Sequence, residues 1–171
     1  NRADAVFTAG YTDKGILLTA EVTDSDVYTG VVYSYGYDDN VEYLVNLKTA
    51  SPNWDSAGTF HFLITADGDT FLQKANSPGG FGASYALDLK CVNGGNFSYS
   101  AERTDGGYRT EVFLGYDLLG TDKETAYGNL CVCPAMRNTH DYADTVWASY
   151  NDNGCNWSNA SSFIRVFADG Y

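Results

Sequence analysis

Apolar and polar residues alternate with a period of two along most of the chain, the pattern of strands that bury one face. In residues 15–22 Ile16, Leu18, Ala20 and Val22 share a face. Val41, Tyr43, Val45 and Leu47 do the same in the next clear run. Phe60, Phe62 and Ile64 follow, opposite His61, Leu63 and Thr65. Further runs place Tyr85, Leu87 and Leu89 together, then Phe97 and Tyr99. In residues 108–114 Val112 and Leu114 lie opposite Arg109, Glu111 and Phe113. Leu130 and Val132 mark a late strand, and residues 163–167 close the series. Turn signals separate these runs: Thr12-Asp13-Lys14-Gly15, Ala66-Asp67-Gly68-Asp69, Asn93-Gly94-Gly95 and Asp105-Gly106-Gly107. Asp105-Gly106 between two alternating runs predicts a hairpin. The best helical signal is one turn, Tyr116-Asp117-Leu118-Leu119, closed by Gly120. Longer irregular loops are expected at residues 49–59, 76–83 and 137–162. Many short strands divided by turns predict an all-β fold, a sandwich or barrel in which two antiparallel sheets bury their inner faces against each other.

Composition narrows the picture. At 171 residues the chain is one domain's length, so residues 1–171 are read as a single β-sandwich domain without a linker or repeat. Acidic residues outnumber basic ones 22 to 10, for a net charge of −12. That field repels phosphate backbones and anionic lipids, so no nucleic-acid partner is expected. No apolar run is long enough for a spanning helix, and no membrane insertion is expected. The start does not look like a signal peptide, so any targeting segment is expected to lie outside this sequence. Few Lys and Arg, with many Gly, Ser, Thr, Asn and Tyr, suggest an extracellular module.

The four cysteines are Cys91, Cys131, Cys133 and Cys155. Cys131 and Cys133 would share a strand face and could not easily bond each other. Pairing each with Cys91 or Cys155 and leaving them as buried thiols both stay open. Their spacing makes a poor zinc site. Three sequons begin at Asn96, Asn156 and Asn159, and they matter only in a eukaryotic source.

Chemistry is suggested first by the three indoles. Trp54, Trp147 and Trp157 all lie in polar surroundings outside the alternating runs, which predicts exposed loop positions. An exposed Trp or Tyr face can stack on the C–H face of a sugar ring, while nearby polar side chains bond its hydroxyls. The run Tyr28, Tyr33, Tyr35, Tyr37 and Tyr43 adds aromatic surface, read either as sheet covering or as a platform for a chain.

Three segments in order carry a resemblance to a known family. Residues 14–24, Lys-Gly-Ile-Leu-Leu-Thr-Ala-Glu-Val-Thr-Asp, look like the "D-G-L-Y-V-x-A-x-V-x-D" strand of family 9 carbohydrate-binding modules and their DOMON-like relatives. Asp39-Asn40-Val41-Glu42-Tyr43-Leu44-Val45-Asn46 resembles their "D-S-V-E-I-F-hydrophobic-D" strand. Residues 107–114, followed by Tyr116, Leu118, Leu119 and Gly120, resemble "G-Y-x-x-E-V-x-I-P-W-x-x-L-G". The resemblance implies a two-sheet antiparallel β-sandwich of the jelly-roll or DOMON-like kind, in a family whose members mostly bind sugars without catalysis and are attached to secreted glycoside hydrolases.

It also implies site residues. The family's late stacking Trp carries over to Trp147, because Arg137-Asn138-Thr139-His140-Asp141 resembles the polar stretch before it, and the family's strand Glu matches Glu42. The early stacking position falls on Gly36, a departure, with Tyr35 and Tyr37 flanking it. No Arg occurs on the strand at residues 59–65, where the family can place one; His61 is the nearest polar candidate. The expected carbohydrate-binding residues are therefore Trp147, Trp157, Trp54, Tyr37, Arg137, Asn138 and Glu42.

No cofactor is required by this reading. Calcium is an option, because Asp24-Ser25-Asp26, Asp38-Asp39-Asn40 and Asp67-Gly68-Asp69 cluster oxygens and family members can carry it. Asp-rich turns are the plainer explanation. The expected function is non-catalytic binding of a plant cell-wall or dietary polysaccharide, by a secreted or cell-surface module within a larger multimodular protein. One alternative is an adhesion or scaffold module that binds protein through the same aromatics. Another is a haem-binding DOMON domain, whose axial ligands would come from Met136, His61 and His140. An enzyme is not expected: no Gly-x-Ser-x-Gly elbow and no His-Glu-x-x-His occurs, and only two His residues are present.

Overall fold

The computed structural model describes residues 3–30, 38–47, 59–74, 85–86, 96–141, 144–149 and 164–166. Their strands form two antiparallel sheets. The smaller contains β1 (Asp4–Tyr11), β2 (Gly15–Thr23), β7 (Phe97–Thr104) and β8 (Gly107–Gly115), in the order β1-β2-β8-β7. The larger contains β3 (Asn40–Leu47), β4 (Phe60–Thr65), β5 (Thr70–Lys74), β6 (Tyr85–Ala86), β9 (Leu130–Asp141) and β10 (Asp144–Ser149), in the order β10-β9-β3-β4-β5-β6. Beside β10, the short β11 (Ile164–Arg165) also pairs with β9.

The core lies between the sheets. Ile16, Leu18, Ala20, Val22, Tyr108, Val112 and Leu114 come from the smaller sheet. Val41, Tyr43, Val45, Phe60, Phe62, Ile64, Leu72, Leu130 and Val132 come from the larger. Aromatic rings join the layers: Phe62 meets Phe97 at 5.5 Å and Phe7 meets Tyr43 at 5.9 Å, both edge to face. Each large side chain removed from water here contributes about 1.5–3 kcal/mol. The predicted two-sheet sandwich is the observed fold, and the alternation picked out its inner faces.

Local signals behave as their chemistry requires. Thr12 Oγ1 accepts the Lys14 and Gly15 N–H groups and turns β1 into β2. Asp105-Gly106 joins β7 to β8 as a hairpin. The expected helical turn is α1 (Tyr116–Leu119), ended by Gly120 in the left-handed region at φ 70°. A second turn, α2 (Lys123–Ala126), has Asp122 at its start, whose Oδ1 accepts the Thr125 N–H at 2.7 Å.

The structure adds to the sequence reading in three places. β1 and β5 are strands that the alternation did not single out. In β1 the Ala, Thr and Gly residues give little contrast between faces. The expected loop at 137–162 is overturned in its first part, where β9 runs on to Asp141 and β10 returns beside it. These residues are polar, so backbone pairing holds them without an apolar stripe. Leu87 and Leu89 of the expected 85–89 run lie outside the described residues. Cys131 and Cys133 are buried thiols, and Cys91 and Cys155 lie outside the described residues.

Gly107 opens β8 at φ +151°, and a Cβ there would run into the Val22 carbonyl oxygen. Gly107→Ala is therefore expected to lower the unfolding free energy by roughly 2 kcal/mol or more in urea titration. Gly106→Ala, where a Cβ meets open space, should cost clearly less.

Candidate functional site

β3 departs from simple alternation. Its inner residues Val41, Tyr43 and Val45 belong to the core, yet Asn40, Glu42, Leu44 and Asn46 on the outer face are buried too. Polar groups on such a face need partners. Asn46 Nδ2 donates to Thr59 Oγ1 at 2.6 Å, and Asn40 Nδ2 donates to the Asp38 carbonyl at 2.8 Å.

Glu42 is the focus of this face. Its direct neighbours are Leu63 on β4 and Ala135 on β9. Two residues along from these, on opposite flanks, lie His61 on β4 and Arg137 on β9, diagonal positions that long side chains can bridge. His61 Nε2 lies 2.8 Å from Glu42 Oε2, and Arg137 Nη2 lies 3.9 Å from Glu42 Oε1. The Glu42 side chain is 9% exposed, against 19% for His61 and 25% for Arg137. A nearly buried carboxylate is thus held between two nitrogen groups that still reach solvent. The edge of Phe71 meets the His61 ring at 6.0 Å.

Trp147 is in the middle of β10, a strand position and not the expected loop. It is in register with Arg137. Trp147 therefore stands one strand beyond Arg137, at the register position beside it. The structure therefore gathers three expected positions: Glu42, Arg137 and Trp147. Asn138 is not among them. It alternates to the opposite face, with Met136, which packs against the core. Trp54, Trp157 and Tyr37 lie outside the described residues. His61 was visible as a polar candidate, but its bond to Glu42 was not. Phe71 was missed, although continuing the alternation past the turn at residues 66–69 would have set it opposite Leu72.

Met136 and His61 occupy opposite faces of the larger sheet. That pair therefore cannot clamp a haem.

Two members of the acidic clusters, Asp39 and Asp67, bond groups of the chain itself. Asp39 is buried; its Oδ2 accepts the Tyr28 N–H at 2.8 Å and its Oδ1 accepts the Thr139 N–H at 2.5 Å. It also shares a side-chain hydrogen bond with Asp24. Burial, with the charge of Asp24 as a smaller contribution, pushes Asp39 up to about 6 against the pull of the two amides. Asp67 bonds Thr29 and Arg103, which hold its carboxyl below the usual range. Among the described residues no three His, Cys, Asp or Glu side chains come together to hold a metal ion.

No protein-family model matches the sequence. No curated protein matches it either. Solved structures do match the fold. A family 9 carbohydrate-binding module from Caldicellulosiruptor kristjanssonii, in complex with cellotriose, superposes with a TM-score of 0.69 at 17% identity, over 100% of this chain and 77% of that one. A family 9 module from the same organism, in complex with glucose, gives 0.71 at 16% identity, over 100% and 79%. A Bacteroides uniformis protein named as a candidate carbohydrate-binding protein gives 0.62 at 9% identity, over 96% and 78%. The chain has the β-sandwich fold of the family 9 carbohydrate-binding modules.

Two outcomes follow from this geometry. Glu42→Gln keeps the volume but weakens the bond to His61, and should cost about 1 kcal/mol in urea titration. Asp39 has a folded value near 6, above its ordinary 3.8. Its contribution is complete below the ordinary value and is lost as pH rises through about 6. In buffer containing a chelator, the melting temperature should fall across that window, and Asp39→Asn should flatten the fall.

Proposed function

We propose that this domain binds neutral sugar units of a polysaccharide and does not turn them over. The observation that carries this reading is the Glu42 carboxylate between His61 and Arg137, with Trp147 in register with Arg137 on the neighbouring strand. A carboxylate fixed in this way can accept hydrogen bonds from two neighbouring sugar hydroxyls, and the guanidinium can donate to a third oxygen. An indole beside them would take the C–H face of the ring. No cofactor is needed for these contacts. Hydrolysis of a glycosidic bond would need a second carboxylate facing the first, and among the described residues Glu42 is the one carboxylate in this cluster. The net charge of −12 suits a neutral glycan better than an anionic one.

The cellotriose and glucose complexes of family 9 modules support the same ligand class. The reading extends to context: an extracellular module of a larger protein that keeps an attached hydrolase or a cell surface close to a plant or dietary polysaccharide. Tethering raises the local concentration of the partner, so one weak site is enough. No helix among the described residues is long and apolar enough to cross a membrane.

The test is electrophoresis of the purified protein through gels containing different soluble glycans. The wild type should be retarded by at least one glycan and release no sugar from it. Trp147→Ala should weaken that binding by at least about tenfold, with little change in melting temperature. Wild-type affinity in both Trp147→Ala and Trp157→Ala would refute the site.

A further inference from the structure

The smaller sheet ends on β7 at one side and on β1 at the other. Charges, prolines and bulges keep an edge strand from pairing with another chain. β7 carries Glu102 and Arg103, both exposed. β1 has no such guard: from Ala5 to Tyr11 it holds no charged residue and no proline, and its register with β2 runs on without a bulge.

The hydrogen bonds of β1 show which groups face outward. Thr12 N–H donates to the Gly15 carbonyl at 2.8 Å, so the β1–β2 hairpin closes on a bonded pair. Bonded pairs recur at every second residue, which turns Gly10, Thr8 and Val6 toward Leu17, Thr19 and Glu21. Ala5, Phe7 and Ala9 therefore point their N–H and C=O groups away from β2, and no described strand meets them there. Val6, Thr8, Ala9 and Gly10 are exposed, Val6 at 66%.

An apolar groove lies beside this edge, in the gap between the sheets. Its volume is about 200 Å³, and it is lined by Phe7 and Ala9 of β1, Tyr43 and Val132 of the core, and Ile164 and Val166. Tyr11 Oη donates to the Val166 carbonyl at 2.9 Å and fixes that segment near β1. A cavity of roughly 150 Å³ takes a benzene ring, so the groove has room for a phenyl group. A strand laid against β1 would turn every second side chain toward it.

We propose that β1 is a self-association edge, on which a second copy of this chain pairs antiparallel through its own β1. The inner side of the added strand must be uncharged and apolar, and β1 itself supplies Ala5, Phe7 and Ala9 there. Centred on Phe7, the pairing exchanges backbone bonds between Ala5 and Ala9, between the two Phe7 residues, and between Ala9 and Ala5 of the two copies. Inner residues meet inner residues, so the two smaller sheets become one continuous sheet about a two-fold axis. Each Phe7 comes to the mouth of the other copy's groove. Asp4 falls opposite Gly10 of the second copy, so the one charge on the strand meets no like charge. Glu42 is on the outer face of the larger sheet and takes no part. The net charge of −12 on each copy opposes the approach, so association strengthens as salt screens it.

Sedimentation equilibrium of the intact protein, with a reductant present, tests this between about 1 μM and about 1 mM protein, at about 0.1 M and about 1 M salt. The wild type should dimerise reversibly, more tightly at the higher salt. Ala9→Lys sets a charge on the exposed inner side of the edge and should weaken the dimer at least about tenfold. Ser98→Lys, at an exposed position of β7 on the opposite edge, should leave it unchanged. Melting temperatures within a few degrees of wild type show that both variants are folded; should Ala9→Lys not fold, Ala9→Pro, which removes an outward N–H, takes its place. In the wild type the Ala5, Phe7 and Ala9 amides should gain protection from hydrogen exchange as protein concentration rises. A dimer that forms without added protection at these amides, or that is undiminished in the folded Ala9 variant, overturns the β1 contact. A wild type that stays monomeric at about 1 mM overturns self-association and leaves the edge to an extended segment of another protein.

Discussion

A charge taken out of water must be matched where it comes to rest, and Glu42 imposes that constraint on the larger sheet. Removing one partner from such a pair leaves an uncompensated buried charge, which costs several kcal/mol. His61 reaches Glu42 only if β3 and β4 keep their register, and Arg137 reaches it only if β3 and β9 keep theirs. A slip of one residue in either pairing would turn the partner to the other face of the sheet. The ionic contacts that fit this face for hydroxyl groups therefore also select the pairing of three strands. Fold and site share one set of requirements here.

A similar economy governs the end of the sheet where β3 begins. Asp39 collects amide hydrogens from Tyr28 and Thr139, and its own carbonyl accepts the Ala66 N–H at 3.0 Å. One short side chain and its backbone thereby organise three segments distant in sequence. Arg103 does comparable work at the surface, bonding Asp67 and Thr29. Asp39 and Asp67, which resembled cation ligands in the sequence, accept hydrogen bonds from the protein's own donors. In a chain with 22 acidic residues, many of them have to satisfy turns.

The inner faces were legible because they depend on contrast: Ile16, Leu18, Ala20 and Val22 differ sharply from Leu17, Thr19 and Glu21 in burial. The outer face of β3 was not legible. Asn40, Glu42 and Asn46 look like solvent-facing residues yet are buried, and Glu42 and Asn46 find partners on other segments of the chain. His61 lies nineteen positions after Glu42, and no local pattern announces the bond. β10 was hidden for a different reason. Its polar run has the composition of a loop, and only pairing with β9 makes it a strand. That one error displaced Trp147 from a strand to a loop while leaving it on the candidate list. Asn138 shows the converse. It adjoins Arg137 in sequence, and a strand sends neighbours to opposite sides.

The strand order has a consequence for how the chain is made. β8 lies between β2 and β7, and β9 lies between β3 and the β10 and β11 pair. Each sheet is thus completed by an internal strand that leaves the ribosome long after its first neighbour. Until β8 and β9 emerge, β2 and β3 each offer an open row of amides and carbonyls to any extended peptide nearby. The nascent domain spends most of its synthesis as two unfinished half-sheets, and late joining of distant segments is slow. Through that interval the open strand edges and unpaired apolar faces are what expose the growing chain to aggregation.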